Sequence, residues 1–141
     1  MIYSEIKKNL FEMDSKYTLA HCISSDCAMG AGIAVEFQKR FGLKQKLLYH
    51  YSESDRAHST CIYENKVLNL ITKEKYWHKP TEMSMKNSLR RMKEVIIEND
   101  IKLIAMPKIG AGLDRLSWTK VKEMIYEIFG DLDIEIVVCK L

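Results

Sequence analysis

Proline and glycine are scarce in this chain, two and six among 141 residues. Nothing resembles the Pro-, Gly- or Ser-rich stretches that link separate domains. At this length the chain reads as one domain, residues 1–141, with no room for a second core or a repeat array. Also missing is any run approaching the roughly 18 uninterrupted apolar residues of a membrane span. The start, Met1-Ile2-Tyr3-Ser4-Glu5, lacks the basic segment and apolar stretch of a secretory signal. The expectation is a cytoplasmic protein, monomeric, with no membrane partner. The four cysteines, Cys22, Cys27, Cys61 and Cys139, form no CxxC pair and read as reduced thiols. His21, Cys22 and Cys27 lack the spacing and the fourth ligand of a zinc site, so no metal is expected. Nor does charge of one sign dominate. The 22 basic and 19 acidic residues leave a net charge of +3, too small for a broad nucleic-acid platform, so any anion site must be local.

What is present is the composition of a folded globule, 47% apolar and 29% charged, and this excludes disorder. Apolar runs rich in β-branched residues predict strands at Ile2 to Ile6, Leu19 to Ile23, Val67 to Ile71, Ile101 to Met106 and Ile134 to Cys139, with a weaker one at Thr60 to Tyr63. Helical spacing joins Ile33, Phe37 and Phe41, then Met85, Leu89, Met92 and Ile96, then Trp118, Val121, Ile125 and Ile128. Gly42 stands where a helix would end, and Thr81 and Ser117 stand where N-caps belong. The polar stretch Glu53 to Ala57 reads as a surface connection. Strands alternating with helices predict an α/β fold with helices on both faces of a largely parallel sheet.

Two glycine-bearing segments each follow a predicted strand and feed a predicted helix: Ser24 to Gly32, containing Met29-Gly30-Ala31-Gly32, and Ile109-Gly110-Ala111-Gly112-Leu113-Asp114-Arg115. Glycine lets backbone N–H groups approach an anion, and the helix that follows adds positive potential. Taken singly, each is ordinarily a tight strand-to-helix turn. Two in one small domain point to a ligand such as a diphosphate, clasped from both sides. Val35 and Arg115 occupy the third-glycine positions of a dinucleotide fingerprint and neither loop ends in GK[ST], which disfavours a dehydrogenase or an NTPase. Lys73 ends a predicted strand and begins a segment with two further lysines, His78, Tyr76 and Trp77. A lysine there can bind phosphate or act as an amine nucleophile, and Asp114 can move protons or simply hold a turn. Spacing alone does not pair the two.

These residues carry a resemblance. Ala20-His21-Cys22-Ile23-Ser24 with Asp26-Cys27 and Met29 to Ala34, then Leu70-Ile71-Thr72-Lys73, Lys79-Pro80-Thr81, and Met106-Pro107 with Ile109-Gly110, Gly112 to Leu116 and Trp118, are similar in order and identity to the macrodomain family. Within it they resemble the branch of terminal ADP-ribose protein glycohydrolases, from about Tyr3 to Leu141. The resemblance implies a three-layer α/β/α domain with a mixed, largely parallel sheet whose cleft binds ADP-ribose. It implies Lys73 as the nucleophile toward the distal ribose and Asp114 as its acid-base partner, releasing an ester-linked Glu or Asp side chain without any cofactor. Ligand contacts are implied at Asn9, Leu10, His21, Ser24, Asp26, Met29, Gly30, Ala31, Gly32, Ile33, Ala34, Thr72, Pro107, Ile109, Gly110, Ala111, Gly112 and Leu113.

One position departs from the pattern. Where family members carry an aspartate for the adenine amino group, this chain has Asn9, which accepts a hydrogen bond without charge assistance. Adenine binding is therefore expected to be weaker or less selective. The partners expected are ADP-ribose and ADP-ribosylated protein. ADP-ribosylated DNA, as in antitoxin macrodomains, and a reader that only binds ADP-ribose are the competing readings.

Overall fold

Alternation along the strands determines the layers. A computed structural model describes residues 1–57 and 59–141. Its six strands are β1 (Ile2–Lys7), β2 (Thr18–Ser24), β3 (Thr60–Glu64), β4 (Val67–Lys73), β5 (Leu103–Met106) and β6 (Glu135–Lys140). They form one sheet in the order β1-β6-β5-β2-β4-β3, parallel throughout except for β3 against β4. Helices α1 (Ala34–Phe41), α2 (Leu43–His50), α3 (Glu82–Glu98) and α4 (Trp118–Phe129) cover it. Leu68 and Leu70 of β4, Ile104 and Met106 of β5, and Ile136 and Val138 of β6 share one core cluster with α3 and α4. Their neighbours Val67, Ile71, Ala105, Val137 and Cys139 belong to the second cluster, with Phe37 of α1 and Leu43 and Leu47 of α2. A strand buried on both faces needs apolar residues at consecutive positions, which is why β4 and β6 read as near-continuous hydrophobic runs. The three-layer mixed α/β architecture expected from the sequence is what the chain adopts.

One helix lies outside the expectations, and two local expectations require correction. The helix expected to stop at Gly42 does stop there, but Gly42, with a left-handed φ of +59°, only redirects the chain into α2. Leu43 and Leu47 have the spacing of a buried helical face and are fully buried. Two anchors in eight residues were too weak a periodic signal. Strand β5 begins at Leu103 rather than Ile101. Left-handed Asp100 turns the chain, and the Ile101 N–H donates back to the Ile96 carbonyl at 3.0 Å, so Ile101 closes the end of α3. The segment 53–57 is exposed except at Arg56, which is buried and donates to the Ser25 and Tyr51 carbonyls.

The N-caps are as expected. Thr81 Oγ1 accepts from the Ser84 N–H at 3.0 Å while Ser84 Oγ accepts from the Thr81 N–H at 2.9 Å, a reciprocal capping box, and Ser117 caps α4. A 3-10 turn over Leu10–Glu12 follows β1, the Phe11 N–H donating to Asn9 Oδ1 at 2.9 Å. Among the described residues no helix is long and apolar enough to cross a membrane.

Candidate active site

The carboxyl ends of β2, β4 and β5, neighbours in the sheet, each release a loop on the same edge, the place where open α/β sheets bind ligands. These are the segments 25–33, 74–80 and 107–117. They enclose a cleft of about 680 Å³, within the range of small-molecule sites. The two glycine loops form opposite walls. In the first, Cys27, Met29 and Gly32 all have left-handed φ, of +55°, +47° and +62°. Two of these are side-chain residues, a conformation that is held only when the surroundings enforce it. Arg56 is part of that enforcement, since its guanidinium reaches Ser25 O and the Ser25 hydroxyl donates back to its carbonyl. In the second loop Gly110 has φ +75°, and a Cβ there would lie 2.8 Å from Met85 Cε and 3.1 Å from Leu116 Cδ1. Gly30 and Gly112 differ: a Cβ on either meets nothing within 4 Å. Both line the cleft, so the missing side chain keeps clear the space a ligand would use.

The segment after β4 ties the two walls together. The Tyr76 N–H donates to Asp26 Oδ2 at 3.1 Å on one side, and Lys79 Nζ donates to the Leu113 carbonyl at 2.6 Å on the other. Burial alone would raise the pKa of Asp26, but hydrogen bonds from the Ser24 hydroxyl and from the Tyr76 and Ala28 amides hold its carboxyl below the usual range. It stays an anion that ties the first glycine loop to the segment after β4.

Lys73 and Asp114 meet in this cleft. Lys73 Nζ donates to Asp114 Oδ1 at 2.8 Å, with each side chain only 15% exposed. Placement of the lysine follows from the sheet: β2 and β4 pair Ile23 with Ile71 and then Ser24 with Lys73, so the register skips Thr72. Such a bulge re-aims the residues around it. Cys22 lies beside the pair, and burial, with the Asp114 carboxylate, pushes its thiol well above its ordinary range. It is a wall of the site and not a thiolate.

Of the residues expected at the ligand, Ser24, Met29 to Ala34, Lys73, Pro107, Ile109, Gly110, Gly112, Leu113 and Asp114 line the cleft. Asn9, Leu10, His21, Asp26, Thr72 and Ala111 do not. Leu10 is core, and Asn9 caps the 3-10 turn. Thr72 lines a second, smaller pocket that adjoins the cleft through Lys73 and Lys79. The cleft also takes Cys22, Ile23, Ala28, Tyr76, Lys79 and Lys108. For Lys79 the sequence offers only a charge in a polar run, which reads equally as a solvated loop.

His21 is wholly buried beneath the first loop, its ring stacked on Phe37 at 3.8 Å between centroids. Asn69 Nδ2 donates to the Ile62 and Val67 carbonyls, so its Oδ1 is the acceptor and His21 Nε2–H the donor at 2.7 Å. Nδ1 is then a bare, unpartnered acceptor. Burial is the main cause that brings the imidazole down from 6.5 to about 4. A group whose folded value lies below its unfolded value favours folding only while deprotonated in both states. Stability is therefore expected to fall as pH drops from about 6.5 to about 4, by on the order of 3 kcal/mol. Urea melts across that range check it: His21→Leu should flatten the slope whatever its own starting stability, and an equal slope in the variant would exclude His21 as the source.

The comparisons agree with this geometry. The sequence profile of the Macro domain matches residues 20–125. The ADP-ribose glycohydrolase OARD1 of Homo sapiens is 43% identical over 136 residues, covering 96% of this chain and 90% of that protein. A DNA ADP-ribosyl glycohydrolase of Thermus aquaticus is 25% identical, and the match spans 91% of this chain but 38% of that longer protein. The macrodomain of Thermus aquaticus DarG superposes with a TM-score of 0.89 at 22% identity, covering 99% of both chains. Glycine loops at the ends of β2 and β5, a mixed six-stranded sheet between two helical layers, and relatedness over nearly the full length together make this chain a member of the macrodomain family.

Proposed function

We propose that this macrodomain is an ADP-ribosyl glycohydrolase that removes ADP-ribose from acidic side chains of proteins, with Lys73 as nucleophile and Asp114 as acid-base partner. The observation that supports this most is the 2.8 Å Lys73–Asp114 pair in the wall of the cleft. As an ammonium Lys73 is no nucleophile, and Asp114 stands where it can take the proton. The amine then forms a bond to the anomeric carbon of the distal ribose while the bond to the acyl oxygen breaks, and the carboxylate leaves without needing a proton. The bond from the anomeric carbon to the ring oxygen then breaks, the ring oxygen taking up the proton that nitrogen gives to Asp114, and the ring-opened sugar stays on Lys73 as an imine; water adds to its carbon, Asp114 relays a proton to nitrogen, and the C–N bond breaks to return ADP-ribose and the free lysine. The glycine loops supply the backbone donors suited to the diphosphate. The 43% identity to a named ADP-ribose glycohydrolase supports the same substrate class.

Calorimetric titration with ADP-ribose is expected to give about −7 to −9 kcal/mol, the strength of a concave site of this size. No heat and no thermal shift at millimolar ligand would overturn the reading of the cleft. Because Asn9 replaces a carboxylate and its Oδ1 already accepts from Phe11, the affinity is expected toward the weak end.

A second reading, release from ADP-ribosylated single-stranded DNA, is favoured by one feature. Tyr76 and Trp77, each 62% exposed and set edge to face, stand at the rim beside Lys75 and Lys79. Exposed aromatics among lysines suit unstacked bases and phosphates. Parallel turnover of glutamate-linked protein and modified DNA separates the two, and binding without release from either leaves only a reader.

A further inference from the structure

Adjoining the cleft, with Lys73 and Lys79 in common, lies a second pocket of about 460 Å³, lined by Thr72, Lys73, Glu74, His78, Lys79, Thr81 and Ser84. Thr72 follows Leu68 and Leu70 on the face of β4 that packs against α3, where an apolar residue would continue the core. Instead its hydroxyl is placed there, 1% exposed and with no hydrogen-bond partner. Buried hydroxyls are nearly always satisfied, so this one marks a position where a further group belongs. The pocket floor is the N-terminus of the 17-residue α3; the Ser84 and Met85 amides are taken by Thr81, which leaves those of Glu82 and Met83 to carry its positive end outward. Two lysines and His78 add positive charge against the single carboxylate of Glu74.

We propose that this pocket is a second oxyanion site, taking one phosphate or carboxylate group and separate from the diphosphate site of the cleft. Thr72 Oγ1 donates to the anion, Lys79 neutralises it, and the α3 terminus supplies amide dipoles. Lys73 lines both cavities, so an anion here also draws on the ammonium that Asp114 holds. The site therefore connects to turnover through Lys73. Its link to turnover rests on Lys73 being the nucleophile, whereas anion binding does not.

The test is amide NMR of the full chain titrated with inorganic phosphate, and separately with acetate, each with and without saturating ADP-ribose. Saturable shifts are expected at Thr72 and at Thr81 to Ser84, and they should persist when ADP-ribose fills the cleft. Thr72→Val and Lys79→Gln should each weaken them by about fivefold or more, as loss of a hydrogen bond to a charged group does, while Thr72→Ser retains them. Phosphate binding tighter than acetate assigns the site to a phosphate group, and the reverse to a carboxylate. Shifts absent at high concentration, erased by ADP-ribose, or indifferent to both variants would overturn the proposal and leave ordered water as the hydroxyl's partner. ADP-ribose failing to shift the glycine loops would instead count against the proposed function, with the phosphate arm still readable.

Discussion

Lys73→Ala is expected to abolish release of ADP-ribose, a loss of at least about a thousandfold, as removal of a covalent nucleophile does, while ADP-ribose binding stays within roughly tenfold. The split follows from where the residue sits. Lys73 contributes one cation at the cleft wall, whereas the approach to the diphosphate is made by two loops whose left-handed residues, Cys27, Met29, Gly32, Gly110 and Arg115, are held by the rest of the fold. Borohydride added during turnover should fix the sugar nucleotide to Lys73 in the wild type and leave the variant unlabelled. Asp114→Ala is expected to slow turnover and let the adduct accumulate, since the group 2.8 Å from Nζ that relays protons to and from it is gone. Undiminished activity in Lys73→Ala would refute the mechanism and transfer the chemistry to a water organised by Asp114. If activity and binding fell together by the same factor, Lys73 would be a binding cation only.

How much of this site can be read from the sequence depends on what each residue answers to. The glycine loops are legible because their constraint is local: Gly110 has no room for a Cβ and Gly32 has a left-handed backbone, and both demands leave glycine in the sequence. Lys73 is legible as the end of a strand. Its pairing with Asp114 is not, because that contact depends on the order β5-β2-β4 in the sheet and on the register skip at Thr72, neither of which is written in spacing. The family resemblance supplied that pairing where periodicity could not. Arg56 shows the opposite case. It lies in a polar run that reads as solvated, yet it is buried against the first loop because that loop's turned backbone leaves the Ser25 carbonyl in need of a donor. His21, for which the resemblance implies a ligand contact, is wholly buried and stacks on Phe37 instead.

Phe37→Ala is expected to cost about 3–5 kcal/mol of folding stability, a large part of what a domain of this size possesses. Phe37 is fully buried and stands at the junction of three pieces of the site. Its ring stacks on His21 of β2, meets Phe11 of the 3-10 turn edge to face at 4.9 Å, and lies 5.9 Å from Phe41 at the end of α1. Deleting the ring leaves a cavity bordered by an unpartnered imidazole nitrogen, and those neighbours are anchored in a strand and a turn that cannot collapse to fill it. Phe37→Leu keeps most of the volume and should cost about 1.5 kcal/mol or less beyond the lost aromatic contacts. Urea denaturation at pH 7.5 measures both. Water entering the cavity would also let His21 protonate more easily, so the stability slope between pH about 6.5 and about 4 should be shallower in Phe37→Ala than in the wild type. A cost below about 1 kcal/mol in the alanine variant, with the acid slope unchanged, would mean that the first glycine loop is held by Arg56 and Asp26 alone.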